Sequence, residues 1–326
     1  ADSPLLSYSA ELLLFLALDN ETSGNAIPGL HVSDALKFLR HTKVFHEAVV
    51  GCARKVEVKY WPLLFPSGTD PKRLMNECLH SKPHVSARFL AVIQGYSGPG
   101  DTISLGEKAL EECLAQQNYP LCEQLSGFLH RAHEAVTTEH DEAAQASWFA
   151  SAPAPPPLTV SHMLAVHLVW LLDSANLRSA SDMLYAFGEG ALVGVLEERP
   201  KANRGRTRPP SVTEVSGLIG TVHSQFAIPL PLFSDDSPAG SCNVSAWWAG
   251  DASTRRSLSS LCSFLLRIKH TVLSISVAIV LLDPPSVSDS LKQQPSLNTA
   301  LQGALEGLRE CPGYRALEKE LLGSES

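Results

Sequence analysis

The stretch of sequence that decides the fold runs from Asp70 to Arg131 and reads DPKRLMNECLHSKPHVSARFLAVIQGYSGPGDTISLGEKALEECLAQQNYPLCEQLSGFLHR. Asp70 followed by Pro71 predicts the start of a short helix, because aspartate is a good N-cap and proline fits the first helical position. Pro83 is predicted to separate this helix from the next. Asp101 is predicted to cap a third helix, and Pro120 is predicted to begin a fourth. The stretch therefore predicts two short antiparallel helix pairs joined by tight turns, which is typical of an α-solenoid.

Apolar residues at helical spacing continue on both sides of this stretch. One helix is predicted to end near Asp19, and a second helix or a broken pair is predicted from Ala35 to Leu64. Further helices are predicted over residues 161–172, 179–187, 191–197, 212–226, 258–268, 272–282, 297–308 and 314–322. No segment repeats another at a fixed period, so the predicted fold class is all-α, an irregular α-solenoid-like array of antiparallel helix pairs.

Changes in composition predict the domain boundaries. Residues 137–158 are polar and then rich in alanine and proline, ending in SAPAPPPL, which is typical of an extended connector. We therefore predict an N-terminal helical array over residues 1–136, a linker over 137–158, a second helical part over 159–233 and a C-terminal helical extension over 234–326.

The overall composition indicates a folded protein that does not bind nucleic acid broadly. Of the 326 residues, 44% are hydrophobic and 18% charged, and the net charge is -8. Broad nucleic-acid binding needs a positive field along one face. The apolar segment Val272 to Leu282 is shorter than the about 20 residues that span a bilayer, so it is predicted to be a buried helix.

The cysteines are predicted to be reduced core thiols of a cytosolic protein, because no pair has the CxxC spacing of a zinc site. They are Cys52, Cys78, Cys113, Cys122, Cys242, Cys262 and Cys311. Two N-glycosylation sequons, at Asn20 and Asn243, have no signal peptide before them and are interpreted as chance matches.

Few residues are candidates for chemistry. Four potential metal ligands cluster near one helix end, namely His130, His133, Glu134 and His140. They do not form an HExxH motif and have no cysteine at ligand spacing, so a solvated helix end is favoured over a metal site. The glycines of GEGALVG (188–194) follow no strand and favour a helix junction over a phosphate loop. With no GxSxG elbow either, we predict no catalytic residue, metal or cofactor.

The run RPKANRGRTRPP (199–210) is the main concentration of positive charge, and its prolines predict a loop. Its basic residues are Arg199, Lys201, Arg204, Arg206 and Arg208. Such a loop can contact acidic lipid headgroups or an acidic partner. A merely solvated loop is the alternative.

Several stretches, in order, resemble one known family. They are ELLLFLA (11–17), the segment 45–65 with CARK (52–55), Glu57, Trp61 and Phe65, DPKRLMNECL (70–79), ALEECLAQQNYPLCEQLSGFL (109–129), the segment 168–199, Ala202 to Arg204, and FAIPLP (226–231). Together they resemble the C-terminal domain of the Ric (ribosome-control-protein) family, the larger subunit of the Ric-Rgp exchange factor for a Golgi Rab GTPase. The resemblance extends to Pro231, and the residues from Ser234 onward have no counterpart in it.

The resemblance implies a non-catalytic scaffold of an exchange complex, cytoplasmic and peripherally associated with the Golgi membrane, with an Rgp-type subunit and a Rab-family GTPase as partners. Family members carry an N-terminal β-propeller that this sequence lacks, so we expect an excised domain or a shortened relative. Partner contact is predicted on the exposed parts of a helix carrying Arg54, Lys55, Lys59 and Trp61, and at the basic loop. For Trp61 a core position is the alternative, since it shares helical spacing with Phe45 and Cys52. The alternative function is a generic helical adaptor in an unrelated large assembly.

Overall fold

The computed structural model describes residues 4–23, 29–66, 70–144, 160–197, 211–228, 251–308 and 311–323. Every regular element in these ranges is helical, which confirms the predicted all-α fold class. The chain divides into two compact units, residues 1–160 and residues 161–326. None of the helices described is long and apolar enough to cross a membrane.

The first unit is a series of helices that pack on their neighbours in the chain. Its helices are α1 (Pro4–Thr22), α2 (Val32–Leu39), α3 (Phe45–Ala53), α4 (Trp61–Leu64), α5 (Pro71–Cys78), α6 (Pro83–Ser97), α7 (Pro99–Ala115) and α8 (Tyr119–Ala144). Helices α5 to α8 pack consecutively, and α1 packs on α2 and α3. The short connections between α5 and α8 make successive helices antiparallel, in agreement with the two predicted pairs.

Local capping explains where two of these helices begin. The Asp70 side chain accepts a hydrogen bond from the Lys72 backbone nitrogen, and Pro71 is the first residue of α5, as predicted. The prediction that Asp101 caps α7 is wrong. Helix α7 already begins at Pro99, because Gly98 can adopt the positive φ of 88° that turns the chain out of α6.

Two predicted boundaries shift in the structure. The segment predicted as one helix or a broken pair from Ala35 to Leu64 is broken into α2, α3, a 3-10 turn at Val58–Tyr60, and α4. The connector predicted from residue 137 begins later, because α8 continues to Ala144 through a stretch rich in alanine and glutamate, both strong helix formers. Residues 145–159 lie outside the described residues.

The second unit is built around one central helix. Its helices are α9 (Val160–Asp173), α10 (Leu177–Phe187), α11 (Glu189–Glu197), α12 (Val212–Phe226), α13 (Ala252–Arg267), α14 (Thr271–Leu281), α15 (Pro284–Gln293), α16 (Asn298–Gly307) and α17 (Pro312–Gly323). Helix α14 packs against α12, α13 and α15, and every residue from Leu273 to Leu282 is buried. The predicted buried helix at this segment is confirmed.

The contacts of α12 join two parts of the chain that its composition predicts to be separate domains. Helix α12 packs against both α14 and α16, so residues 211–228 share a core with residues beyond 251. The predicted division at residue 233 therefore falls inside one compact unit. Helix α15 was not predicted, because Pro284, Pro285 and three serines in its sequence resemble a loop.

Candidate partner-binding surface

The residues predicted to contact a partner lie on a turn between two helices. Arg54 is the C-cap residue of α3, and Lys55 follows it. Lys59 lies in the 3-10 turn, and Trp61 is the first residue of α4. The prediction that these four side chains share one helix is therefore wrong. Helix α3 ends at Ala53, and the new helix begins at Trp61 with Pro62 in its first turn, where a missing N–H costs no intrahelical hydrogen bond.

Trp61 is part of the core, which confirms the core position that its spacing indicated and corrects its prediction as a contact residue. The side chain is buried, and its indole nitrogen donates a hydrogen bond to the Ala53 carbonyl oxygen at 2.9 Å. This bond closes the turn, because it joins the last residue of α3 to the first residue of α4. Trp61 therefore shapes the surface from beneath and does not form part of it.

An aromatic ladder connects this core position to the surface. The Trp61 and Phe65 rings meet edge to face with centroids 6.5 Å apart, and the Phe65 and Tyr96 rings do so at 6.1 Å. Tyr96, in α6, is exposed. Gly95 makes room for the ladder, since a Cβ atom there would lie 2.8 Å from the Trp61 Cη2 atom. The turn thus packs against α6 through these aromatic rings.

The charged side chains of the turn differ in how far they are already paired. Lys55 forms an ion pair with Glu11 of α1. Lys59 pairs with Glu57 at 2.7 Å and lies 4.8 Å from the centre of the Tyr60 ring; the hydrogen bond to Glu57 raises the Lys59 pKa. Arg54 is exposed, and no carboxylate among the described residues forms an ion pair with it. Arg54 is therefore the charge most available to an acidic partner.

Exposed apolar residues beside these charges were missed in the sequence analysis. Val58 of the 3-10 turn, Leu63 of α4 and Tyr96 of α6, whose ring contacts Phe65, are all exposed. Apolar or aromatic anchors beside cationic groups are typical of protein-binding surfaces. The available signal was the position of Val58 between the charged residues Glu57 and Lys59, and of Leu63 directly after Pro62. We refer to Arg54, Val58, Lys59, Leu63 and Tyr96 as the turn surface.

The other predicted contact site, the basic loop, lies outside the described residues. This applies to all five of its basic side chains, Arg199, Lys201, Arg204, Arg206 and Arg208. Gly188 has a φ of 80° and ends α10 immediately before α11, so it is a helix junction, as favoured by its sequence context.

The histidine cluster of α8 contacts two different carboxylates. His130 lies 3.3 Å from Glu134 in the same helix, whereas His133 faces Glu107 of α7 at 3.7 Å. In the described part of the chain, no group of three potential ligands could hold a metal ion.

The described cysteines and one sequon are structural. Six cysteines are buried and free, and burial raises the pKa of Cys52 in α3 to about 12. Cys242 lies outside the described residues. Asn20 is buried and donates a hydrogen bond to the Leu30 carbonyl oxygen at 2.8 Å, which agrees with a chance sequon there.

Comparison with known proteins supports the resemblance found in the sequence. Residues 2–148 match the family model described as the RIC1 C-terminal alpha solenoid region. The chain is 30% identical over 131 residues to the guanine nucleotide exchange factor subunit RIC1 of Homo sapiens, an alignment that covers 40% of this chain and 9% of that protein. It is 34% identical over 99 residues to the subunit ric1 of Schizosaccharomyces pombe, covering 30% of this chain and 9% of that protein.

A nematode relative gives the same result. The chain is 28% identical over 127 residues to the guanine nucleotide exchange factor subunit R06F6.8 of Caenorhabditis elegans, covering 38% of this chain and 9% of that protein. The aligned part of the chain thus spans about a tenth of the length of these relatives, and no solved structure matches it. The stretches from Leu168 to Pro231 lie beyond the family match, so their resemblance stays a prediction. Over residues 2–148, the chain is a match to the α-solenoid region of the Ric family, as its sequence predicted.

Proposed function

We propose that this protein is a non-catalytic scaffold subunit of a guanine-nucleotide exchange complex for a Rab-family GTPase that acts in Golgi vesicle trafficking. The observation that carries the proposal is the match of residues 2–148 to the solenoid region of proteins named guanine nucleotide exchange factor subunits. Exchange factors act by binding: they stabilise the nucleotide-free GTPase, which speeds nucleotide release. A rigid helical surface can contribute to this without any reacting residue.

The first experiment tests membership of the complex. The tagged chain is purified from its own cells, and the bound proteins are identified by mass spectrometry. We expect an Rgp-type subunit and a Rab-family GTPase that is enriched when nucleotide is stripped with EDTA. Recovery of neither protein would overturn the proposal and favour a generic helical adaptor.

The second experiment asks whether the turn surface contributes to binding. The double variant Arg54→Glu, Lys59→Glu should raise the dissociation constant of the chain for its partner subunit at least tenfold. The reason is that it reverses two charges beside the exposed apolar side chains. Lys37→Glu is the matched control, since Lys37 is an exposed lysine of the same unit that pairs with Asp34 at 3.2 Å. Equal effects of the two changes in isothermal titration calorimetry would remove the turn surface from the proposal.

The basic loop supplies the proposed membrane contact at the Golgi. Each basic residue near an anionic membrane contributes about 1 kcal/mol, and salt screens this attraction. Co-sedimentation with vesicles containing phosphatidylserine should fall when Arg204, Arg206 and Arg208 are changed to glutamine. Unchanged sedimentation of that variant would remove the basic loop from the proposal.

A further inference from the structure

Helix α1 carries a line of large apolar side chains that no described residue covers. Leu5, Tyr8, Leu12 and Leu16 are 76%, 64%, 45% and 48% exposed. At 100° per residue, these four positions fall within about 80° of one another around the helix. We call these four residues the α1 stripe.

The opposite side of the same helix is already buried. Ala10, Leu14, Ala17 and Leu18 are buried, and α1 packs on α2 and α3. A helix with apolar residues on both sides is typical of a helix that is buried all round, whereas a surface helix is polar on its outer side. The α1 stripe therefore has the character of a second packing surface.

The spacing of the α1 stripe makes it complementary to itself. If two copies of α1 lie antiparallel, Leu5 faces Leu16 and Tyr8 faces Leu12 across a two-fold axis. Each pair is apolar, and no charged residue lies between the first and last members of the stripe on that face. A two-fold interface requires such a self-complementary patch.

The exposed area is sufficient for a weak but specific pair. Leu6 flanks the stripe and is 50% exposed. With the stripe, it presents roughly 500 Å² on each copy, so a symmetric pair would bury about 1,000 Å² in total, the lower limit for a specific interface. Asp19, on the same face beyond Leu16, ends the apolar region. An interface at this lower limit is expected to be weak, so the test is centred on micromolar concentrations, and the absence of charge on the stripe predicts little dependence on salt.

We propose that the α1 stripe is a homodimer interface, in which α1 of a second copy of this chain packs antiparallel on the first. The proposal is independent of the exchange function and of the turn surface. Its occupant is another copy of the same helix, because the stripe matches itself in register and in lack of charge.

Sedimentation velocity of the 326-residue chain tests the proposal over two orders of magnitude in concentration around the micromolar range. We expect a monomer–dimer equilibrium whose dissociation constant rises at least tenfold in the Leu5→Ser, Leu12→Ser variant. Tyr185→Ser changes an even more exposed apolar residue in the second unit and should have no effect. A chain that stays monomeric throughout, as expected if another protein or segment covers the stripe, overturns the proposal, as does a dimer that the stripe variant leaves intact.

Cross-linking tests the register and does not depend on the stability of the serine variant. In a Cys242→Ser background, a Leu5→Cys chain is mixed with a Leu16→Cys chain and oxidised with diamide. The antiparallel pair should give disulfide-linked dimers in the mixture and few with either chain alone. Dimers formed mainly by Leu5→Cys alone would indicate parallel helices and contradict the proposed pairing, and dimers in no sample would overturn it.

Discussion

Gly106 determines how closely α7 and α8 approach each other. A Cβ atom at this position would lie 2.6 Å from the Leu129 Cδ2 atom and 3.3 Å from Leu129 Cγ. Leu129 is completely buried, so it has little room to move. The sequence shows a glycine inside a helical pattern but does not show which side chain occupies the space above it.

Gly106→Ala should therefore lower the free energy of unfolding. Overpacking costs about 1–3 kcal/mol, whereas alanine gains up to about 1 kcal/mol in helix propensity, so the net loss is about 1 kcal/mol. Gly127→Ala in α8 is the control, because its nearest neighbour is the end of Arg131 at 3.7 Å; this change should stabilise by about 0.5–1 kcal/mol. Urea unfolding measures both, and a Gly106→Ala protein as stable as the parent would contradict the packing argument.

At the scale of elements, a buried hydrogen-bond pair joins α12 to α17. His223 Nδ1 lies 3.0 Å from the Ile228 carbonyl oxygen, which can only accept, so Nδ1 carries the proton. His223 Nε2 is then an acceptor and receives a hydrogen bond from the Tyr314 hydroxyl group. Both side chains are buried, so neither can exchange this partner freely for water.

Tyr314→Phe should destabilise the second unit by about 1–3 kcal/mol, because it leaves a buried acceptor on His223 without its donor. Tyr185→Phe removes the same hydroxyl group from an almost fully exposed tyrosine, so its effect should stay within about 0.5 kcal/mol. Thermal unfolding followed by circular dichroism compares the two variants. Equal melting temperatures would show that the pair contributes nothing to stability.

At the scale of the whole molecule, the two units differ in their titratable groups. Burial lowers the pKa of His167, His223 and His270, all in the second unit, although Asp173 acts in the opposite direction on His270. In the first unit, burial acts to raise the pKa of Glu77, but hydrogen bonds from His46 and Arg73 outweigh it and hold that pKa below its usual value. From these groups we expect the histidine-linked part of the second unit's stability to change near neutral pH, and the Glu77-linked part of the first unit's stability at more acidic pH.

The sign of the pH effect follows from linkage. A histidine with a lowered folded-state pKa stays neutral in the fold while the unfolded chain takes up protons below the ordinary value of 6.5. Stability of the second unit should thus fall as the pH decreases from about 7 to 5, whereas the Glu77 contribution is lost only below its ordinary value of 4.5. Hydrogen exchange, corrected for intrinsic rates, should show protection lost first in residues 161–323. Equal loss in both units, or earlier loss in residues 4–144, would contradict this prediction.

Much of the fold could be predicted because local chemistry and periodicity act over a few residues. The Asp70-Pro71 start, the 3.6-residue apolar spacing and the apolar segment of α14 each predict an element that the structure contains. Helix α15 also begins after an Asp-Pro pair, Asp283-Pro284, although the Asp283 side chain accepts no capping hydrogen bond from the backbone; a second proline and three serines make its sequence resemble a loop, so it was not predicted.

The sequence by itself determined that this protein is helical, where most of its helices lie, and that its first part resembles the Ric solenoid region. Only the tertiary structure decided which side chains are available. It buried Trp61, paired Lys55 with Glu11, left Arg54 and the α1 stripe exposed, and joined α12 to the C-terminal helices. The physical reason is that helix formation depends on neighbours within a turn or two, whereas burial depends on packing between residues far apart in the chain.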